Sequence, residues 1–341
     1  MTGVALGMLP AAAFAQTGPP TRERADSEGV FSLIVENDSL SSGADRNYTS
    51  GFELAYTSPA TNPNIPGWLN DAAKPFTHFL SQGAEPALWG VAIGQSLFTP
   101  NDIETVPAPP DQHPYAGWLY MQLMVAAEQQ PVGEVGGHLD TYELEFGMVG
   151  PAALGEQSQV GIHQILGAPS PKGWTGQLHD EFAFAASVDR RWRWLPFGVP
   201  GVAGLSFDLT PQTGFTIGTL RDEVRAGLTA RIGNHLMSDY GPPRVRPSLA
   251  GVEHFYDDNF SWSIFAGAEG RAVARDLFLD GSTFRDSAHV ERIPYVADFQ
   301  AGFSMSLHEW RMTYTFVWRT DEFTTQNGRQ DFGSLSFSRR F

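Results

Sequence analysis

Segment after segment of this chain alternates apolar and polar residues over 9–13 positions, and that period of two limits its fold more than any other feature. In TYELEFGMVG, Tyr142, Leu144, Phe146 and Met148 oppose Glu143, Glu145 and Gly147. In EVRAGLTARIG, Val224, Ala226, Leu228, Ala230 and Ile232 oppose Arg225, Thr229 and Arg231. In YVADFQAGFSMSL, Tyr295, Phe299, Phe303 and Leu307 face away from Asp298, Gln300, Gly302 and Ser304. WRMTYTFVWRT sets Met312, Tyr314, Phe316 and Trp318 against Arg311, Thr313, Thr315 and Arg319. These strands are longer than the usual five or six residues and long enough to cross a bilayer at a tilt. Their polar faces mix charges of both signs with Gly and Ser, which suits a packed, hydrated lumen better than a surface in bulk water.

The alternation predicts strands over 30–38, 48–58, 89–97, 117–127, 139–149, 182–194, 202–216, 222–232, 260–273, 291–307, 309–319 and 331–341. The fold expected is all-β: a closed antiparallel transmembrane β-barrel of about twelve strands, with a short helix in an extracellular loop. An even number of strands returns both termini to one side. Trp118, Trp192, Trp194, Trp262, Trp310 and Trp318 fall near strand ends, as interfacial girdles require. No run of about 20 apolar residues offers a membrane-spanning helix. The connection 59–88 contains GWLNDAAKPFTHFL, which reads as an amphipathic helix against the periplasmic end.

The N-terminal apolar run ends in Ala13-Phe14-Ala15, a small-x-small cleavage pattern. It predicts a signal peptide at 1–15, a polar linker at 16–29 and the barrel at 30–341. The chain closes on DFGSLSFSRRF, with Leu335, Phe337 and Phe341 in register. That ending resembles the C-terminal strand signal read by the outer-membrane assembly machinery, an expected partner. The net charge of −16, from 22 basic and 38 acidic residues, argues against nucleic acid as a partner. Cysteine is absent, so neither disulfides nor thiol chemistry contribute.

By strand parity, one rim collects the end of the first strand (Asn37, Asp38), the start of the second (Asp45, Asn47, Thr49) and loops 98–116 and 150–181. Residues 153–166 have helical spacing, stopped by Pro169 and Pro171. Gln159 and His163, four apart, share one face of that helix, and Ile162, Ile165 and Leu166 are left to pack on the barrel or in lipid. Asp257 and Asp258 in HFYDDNF fall on the opposite rim and read as a solvated turn.

Four motifs occur in order: VENDSL, DRNYTSGFELAYT, QVGIHQILG and GWTGQLHDE. Together they resemble the lipid A 3′-O-deacylase (LpxR) family. The resemblance implies a twelve-stranded outer-membrane barrel whose active site faces the outer leaflet. It also implies a Ca²⁺-dependent esterase that releases the 3′-linked acyloxyacyl chain of lipid A, with lipopolysaccharide and membrane lipid as partners. Motif by motif, Asn37 and Asp38 match the family's Asn-Asp pair, Thr49 its second-strand hydroxyl, and Gln159 and His163 its helix pair. In that scheme His163 is the general base, Asp38 holds the cation, Asn37 orients the imidazole or joins the oxyanion site, and Gln159 and Thr49 position the substrate. A lysine that the family carries in the loop after the third strand has no counterpart near Thr105. Gln112-His113-Pro114 stands where relatives tend to carry an Arg, and His113, Lys172 and Arg46 are the substitutes at hand. Other readings of the same chain are an outer-membrane phospholipase or other glycolipid esterase, and a non-catalytic porin or adhesin.

Overall fold

The computed structural model describes residues 28–41, 47–59, 64–81, 86–129, 137–198, 204–236, 239, 241, 260–328 and 330–341. The predicted signal peptide and Asp45, Arg46, Asp257 and Asp258 lie outside the described residues. The strands run β1 Val30–Asn37, β2 Asn47–Thr57, β3 Leu88–Thr99, β4 Ala116–Gln129, β5 His138–Val149, β6 Glu181–Trp192 and β7 Trp194–Gly198. They continue with β8 Ser206–Gly218, β9 Arg221–Gly233, β10 Ser261–Asp276, β11 Tyr295–Leu307, β12 Trp310–Arg319 and β13 Gln330–Arg340. Consecutive strands pair antiparallel except β6 and β7, which both pair with β8; β1 pairs with β13, so the sheet closes. Short β7 extends the line of β6 along β8 beyond a break at Arg193, which makes the wall a twelve-stranded barrel. The sixth predicted strand therefore runs on past 194, the seventh begins at 206 rather than 202, and the tenth at 295 rather than 291.

Closure satisfies the backbone: every central N–H and C=O bonds to a neighbouring strand, the condition for crossing hydrocarbon. Pleating then sorts the side chains. Phe31, Phe52, Ile93, Met121, Ile264 and Phe303 are exposed on the outside, while Glu36, Glu53, Gln122, Glu145, Arg225 and Arg319 are buried in the lumen. Lumenal charges are paired. Arg319 grips Asp298 with two bonds of 2.7 and 3.0 Å, and Arg225 holds Asp189 in the same bidentate way.

We call the end holding the chain termini the lower rim and the other the upper rim. At the lower rim the segment after β9 tucks inward: the Leu236 carbonyl accepts from Arg231 at 3.0 Å, and Asp239 bridges Arg231 and Arg311. Burial opposes the Asp239 charge, yet the two guanidiniums hold its pKa at about 2. At the upper rim the helix α3, Leu277–Asp280, plugs the mouth, with Phe278 stacked 4.1 Å from Phe98 and Tyr48 edge-on to Phe332 at 5.2 Å. Side chains thus fill the lumen at both ends.

The aromatic girdle forms chiefly at the lower rim, where Phe341 stacks on Phe31 (4.5 Å), Phe31 meets Tyr56 (5.2 Å), and Tyr56 meets Trp89 (5.6 Å). Trp194 and Trp310 extend it around the barrel. Trp118 corrects the girdle expectation. It is fully buried on the lumenal face, where its indole N–H donates to Glu145. The helix expected in 59–88 is α1, Gly67–Leu80, lying outside the lower rim with Leu69 and Ala73 packed on Val125 and Trp89.

Removing one partner of a buried ion pair strands the other charge and costs about 3–5 kcal/mol. Asp298→Ala is therefore expected to lower the temperature at which the folded, fast-migrating band disappears on gels. An unchanged transition would show that the lumenal pairs do not hold the barrel.

Candidate active site

The first strand ends where its hydrogen bonding turns on itself. Asn37 has extended backbone, and its Oδ1 accepts from Ser39 N–H at 2.7 Å and from the Ser39 hydroxyl. This caps a tight turn, Asp38–Leu40. Asp38 is 1% exposed, and its carbonyl accepts from Ser41 N–H at 3.0 Å. Asn37 therefore shapes the turn that presents Asp38, a role the sequence left undecided.

Thr49 owes its direction to a β-bulge. Tyr48 pairs with Phe98 and Ser50 with Leu97, so Thr49 is the extra residue, and its hydroxyl meets that of Thr99 at 2.7 Å. Thr99 is a member of the site that alternation could not find, because the bulge shifts the register by one.

The helix predicted at 153–166 resolves into a single turn, Pro151–Ala153, and α2, Gly155–Leu166, closed by Gly167 at φ +69°. The α2 axis comes close to the wall because two glycines meet. A Cβ on Gly117 would lie 3.1 Å from Gly155 Cα, and one on Gly155 would lie 2.7 Å from the Trp174 ring. Gln95 ties the turn down by donating to the Ala153 carbonyl at 2.6 Å. Gly155, Gln159 and His163 form the buried face, one turn apart, while Ile162 and Ile165 are exposed, Ile165 at 85%.

His163 is held by Nδ1, 2.6 Å from the Pro169 carbonyl. A carbonyl only accepts, so Nδ1 carries the proton and the lone pair of the neutral ring is on Nε2. Gln159 Oε1 accepts from the Trp174 indole at 2.8 Å, which turns its NH₂ the other way. That nitrogen is buried, with no partner among the described residues. Trp174 is a bracing residue, as its position among Leu97, Tyr115 and Gly155 shows.

Strand register brings the two halves toward each other. Asn37 pairs with Ser50, and Ser50 with Leu97. Cross-strand partners share a face, and here it is the outward one, as exposed Val35 and Phe52 on the same strands show. At about 4.8 Å per strand, Asn37 and Leu97 are roughly 10 Å apart. Leu97 packs on Trp174, Trp174 bonds Gln159, and His163 follows one turn along. The turn after β1 and the α2 helix thus meet on the outer wall of the barrel at its upper rim, with α2 seated on β3 and β4.

With this geometry in view, comparison with known proteins gives one decisive result. The family described as outer membrane protein LpxR matches residues 1–341, the whole chain. This chain belongs to the LpxR family. A solved structure, LpxR from Salmonella typhimurium, superposes with a TM-score of 0.73 at 17% identity, covering 92% of this chain and 100% of that one, which supports the shared barrel. The β domain of the Bordetella autotransporter BrkA gives 0.45 at 9% identity, covering 93% of this chain and 100% of that one. No curated protein sequence matches.

Where the LpxR resemblance anticipates a lysine, Thr105 is committed to its own turn: its hydroxyl donates to Asp102 at 2.6 Å. That bond and the neighbouring backbone N–H groups hold Asp102 below the usual carboxylate range. Lys172 comes to the same loop from the other side. Its backbone N–H donates to the Ile103 carbonyl at 2.8 Å, and its Nζ is 3.3 Å from Glu104. His113, by contrast, is buried in the lumen mouth, stacked on Phe98 (5.4 Å) and edge-on to Phe323 (6.2 Å). It does not join the outer-wall set.

Burial pushes the His113 pKa below the ordinary imidazole value, against the bond to Pro114 and the pull of Glu322 and Asp276. The unfolded chain then binds the proton more readily, so stability is lost as pH falls through about 6.5 toward the folded value. His113→Gln is expected to lose less thermal stability between neutral and mildly acidic pH than the parent. An equal loss in both would show that His113 does not report the acid sensitivity of the upper plug.

Proposed function

We propose that the protein is a lipid A deacylase of the outer membrane that hydrolyses the 3′-linked acyloxyacyl ester of lipid A from the outer leaflet. The observation that carries this reading is the 2.6 Å contact of His163 Nδ1 with the Pro169 carbonyl, which calls for the proton on Nδ1 and makes Nε2 the basic nitrogen. Imidazole is suited to that exchange near neutral pH. The Gln159 NH₂, held by Trp174, has hydrogens to donate to the oxyanion that forms when hydroxide adds to the ester carbonyl. Return of the proton from His163 to the departing sugar oxygen completes the cleavage. A site on the outer wall also suits a substrate whose acyl chains never leave the bilayer, and exposed Ile162 and Ile165 give that site an apolar edge.

The proposed cofactor is Ca²⁺. Its ligand field here would be oxygen only, with the Asp38 carboxylate as the charged member and the Asn37 and Thr49 oxygens as neutral candidates, a donor class that calcium accepts. Among the described residues no three His, Cys, Asp or Glu side chains converge, so Asp38 would be the ion's principal charged anchor. When bound, the ion would polarise the ester carbonyl.

Mass spectrometry of lipid A from cells producing the protein tests the reaction through loss of the 3′ acyloxyacyl group. His163→Ala should lower the rate about 10²–10⁴-fold, and Gln159→Ala by about 10²–10³-fold, with both variants still migrating as folded barrels. A folded His163→Ala protein working at the parental rate would place the base elsewhere. Loss of phospholipid chains with lipid A intact would make the enzyme a phospholipase instead.

Chelation should abolish the activity and added Ca²⁺ restore it. In Asp38→Ala the restoration should need more Ca²⁺ and remain incomplete. Full activity after exhaustive chelation would remove the ion from the account.

A further inference from the structure

The α1 helix is apolar on more of its circumference than the barrel covers. One stripe, Leu69, Ala73 and Thr77, repeats every four residues and is buried against the outer wall at β3 and β4. A second stripe, Trp68, Ala72 and Phe76, repeats at the same interval next to it and is exposed, Trp68 at 61% and Phe76 at 54%. Asp71, Lys74 and His78 form a third, polar stripe, with Lys74 bonded to Asp71 at 2.8 Å. A helix whose exposed side was simply wet would carry polar residues on the second stripe as well.

The C-terminal end of α1 is anchored through polar groups on the outside of the wall. Arg190 and Asp140 are partners on β6 and β5, bonded at 2.6 and 2.7 Å, and both point away from the lumen. Such a pair facing hydrocarbon would be costly. The helix end covers it: Leu80 carbonyl accepts from Arg190 at 2.7 Å, and the Ser81 hydroxyl donates to Asp140. Phe76 lies 6.3 Å from Tyr142 on the same wall. The helix is also level with the aromatic girdle, since Trp89, against which Leu69 packs, is a girdle residue.

We propose that α1 is an interfacial membrane helix. In this reading its second apolar stripe is seated in the headgroup and upper acyl region of the leaflet on the termini side, its polar stripe faces water, and its C-terminal end shields the Arg190–Asp140 pair. The occupant of the exposed stripe is bilayer lipid. The stripe continues the lipid-facing surface of the barrel, and its Trp and Phe are the residue types that favour that zone. The helix widens the barrel's footprint on one side below the roofed site.

Because the chain has no cysteine, single nitroxide labels report each stripe cleanly. Labels would be placed at Trp68→Cys, Phe76→Cys, Asp71→Cys and Lys74→Cys in protein reconstituted into phospholipid vesicles, and collisions with oxygen and with a water-soluble nickel chelate compared. The ratio of oxygen to nickel collisions should be several-fold higher at 68 and 76 than at 71 and 74. Equal ratios at all four positions would overturn the proposal, as would labels at 68 and 76 shielded from both reagents, which would mean protein covers the stripe. Trp68 is exposed, so its variant does not disturb packing, and heat-modifiable migration confirms that each labelled barrel is folded.

Discussion

In hydrocarbon, no backbone N–H or C=O can be left without a partner, and everything in this molecule answers to that requirement. A sheet meets it only by closing, and closing divides the side chains into an apolar outer wall and a polar lumen. Here the lumen is spent on packing. Its charges pair across strands, Leu236 and Asp239 tuck in from below, and Phe278 with Phe98 closes the top. The candidate site lies not in the lumen but at the rim, where strands stop bonding one another and loops take over.

The rim becomes a site because three local devices override the regular pleat. The Asn37 cap turns the chain sharply so that Asp38 is buried beside the wall. The bulge at Thr49 turns one hydroxyl out of sequence register. The Gly117–Gly155 approach seats α2 close enough for Trp174 to hold Gln159. Each is a small local departure from regular structure, and together they set polar groups under a roof on an otherwise lipid-facing surface. The same wall carries a second covered polar feature, the Arg190–Asp140 pair below α1. Both of these polar clusters on the outside of the barrel lie under helices.

The period-two pattern makes the fold legible from sequence, because a strand with lipid on one side and ion pairs on the other leaves little ambiguity. It fails where both faces are apolar. In AGWLYMQLMVAA Gln122 is the only strongly polar residue, so Trp118 reads as a girdle residue, although its cross-strand partner Ser96 and its bond to Glu145 mark the lumen. Asn37, Asp38, Thr49, Gln159 and His163 are legible through linked motifs. Their partners are not: Pro169 acts through a backbone carbonyl, Thr99 through a bulge, and Trp174 through a bond across fifteen residues. Those contacts depend on three-dimensional register rather than on residue type.

The proposed function requires lipid A to be engaged on the outer wall beside α2 and not in the lumen. A photo-crosslinking residue built in at Ser50, on the outer face between Asn37 and Leu97, tests it against the same residue at Ser336, on the lumenal face of β13. Irradiation of intact cells should yield a lipopolysaccharide adduct from position 50 and none from position 336. An adduct from 336 with none from 50 would contradict the account.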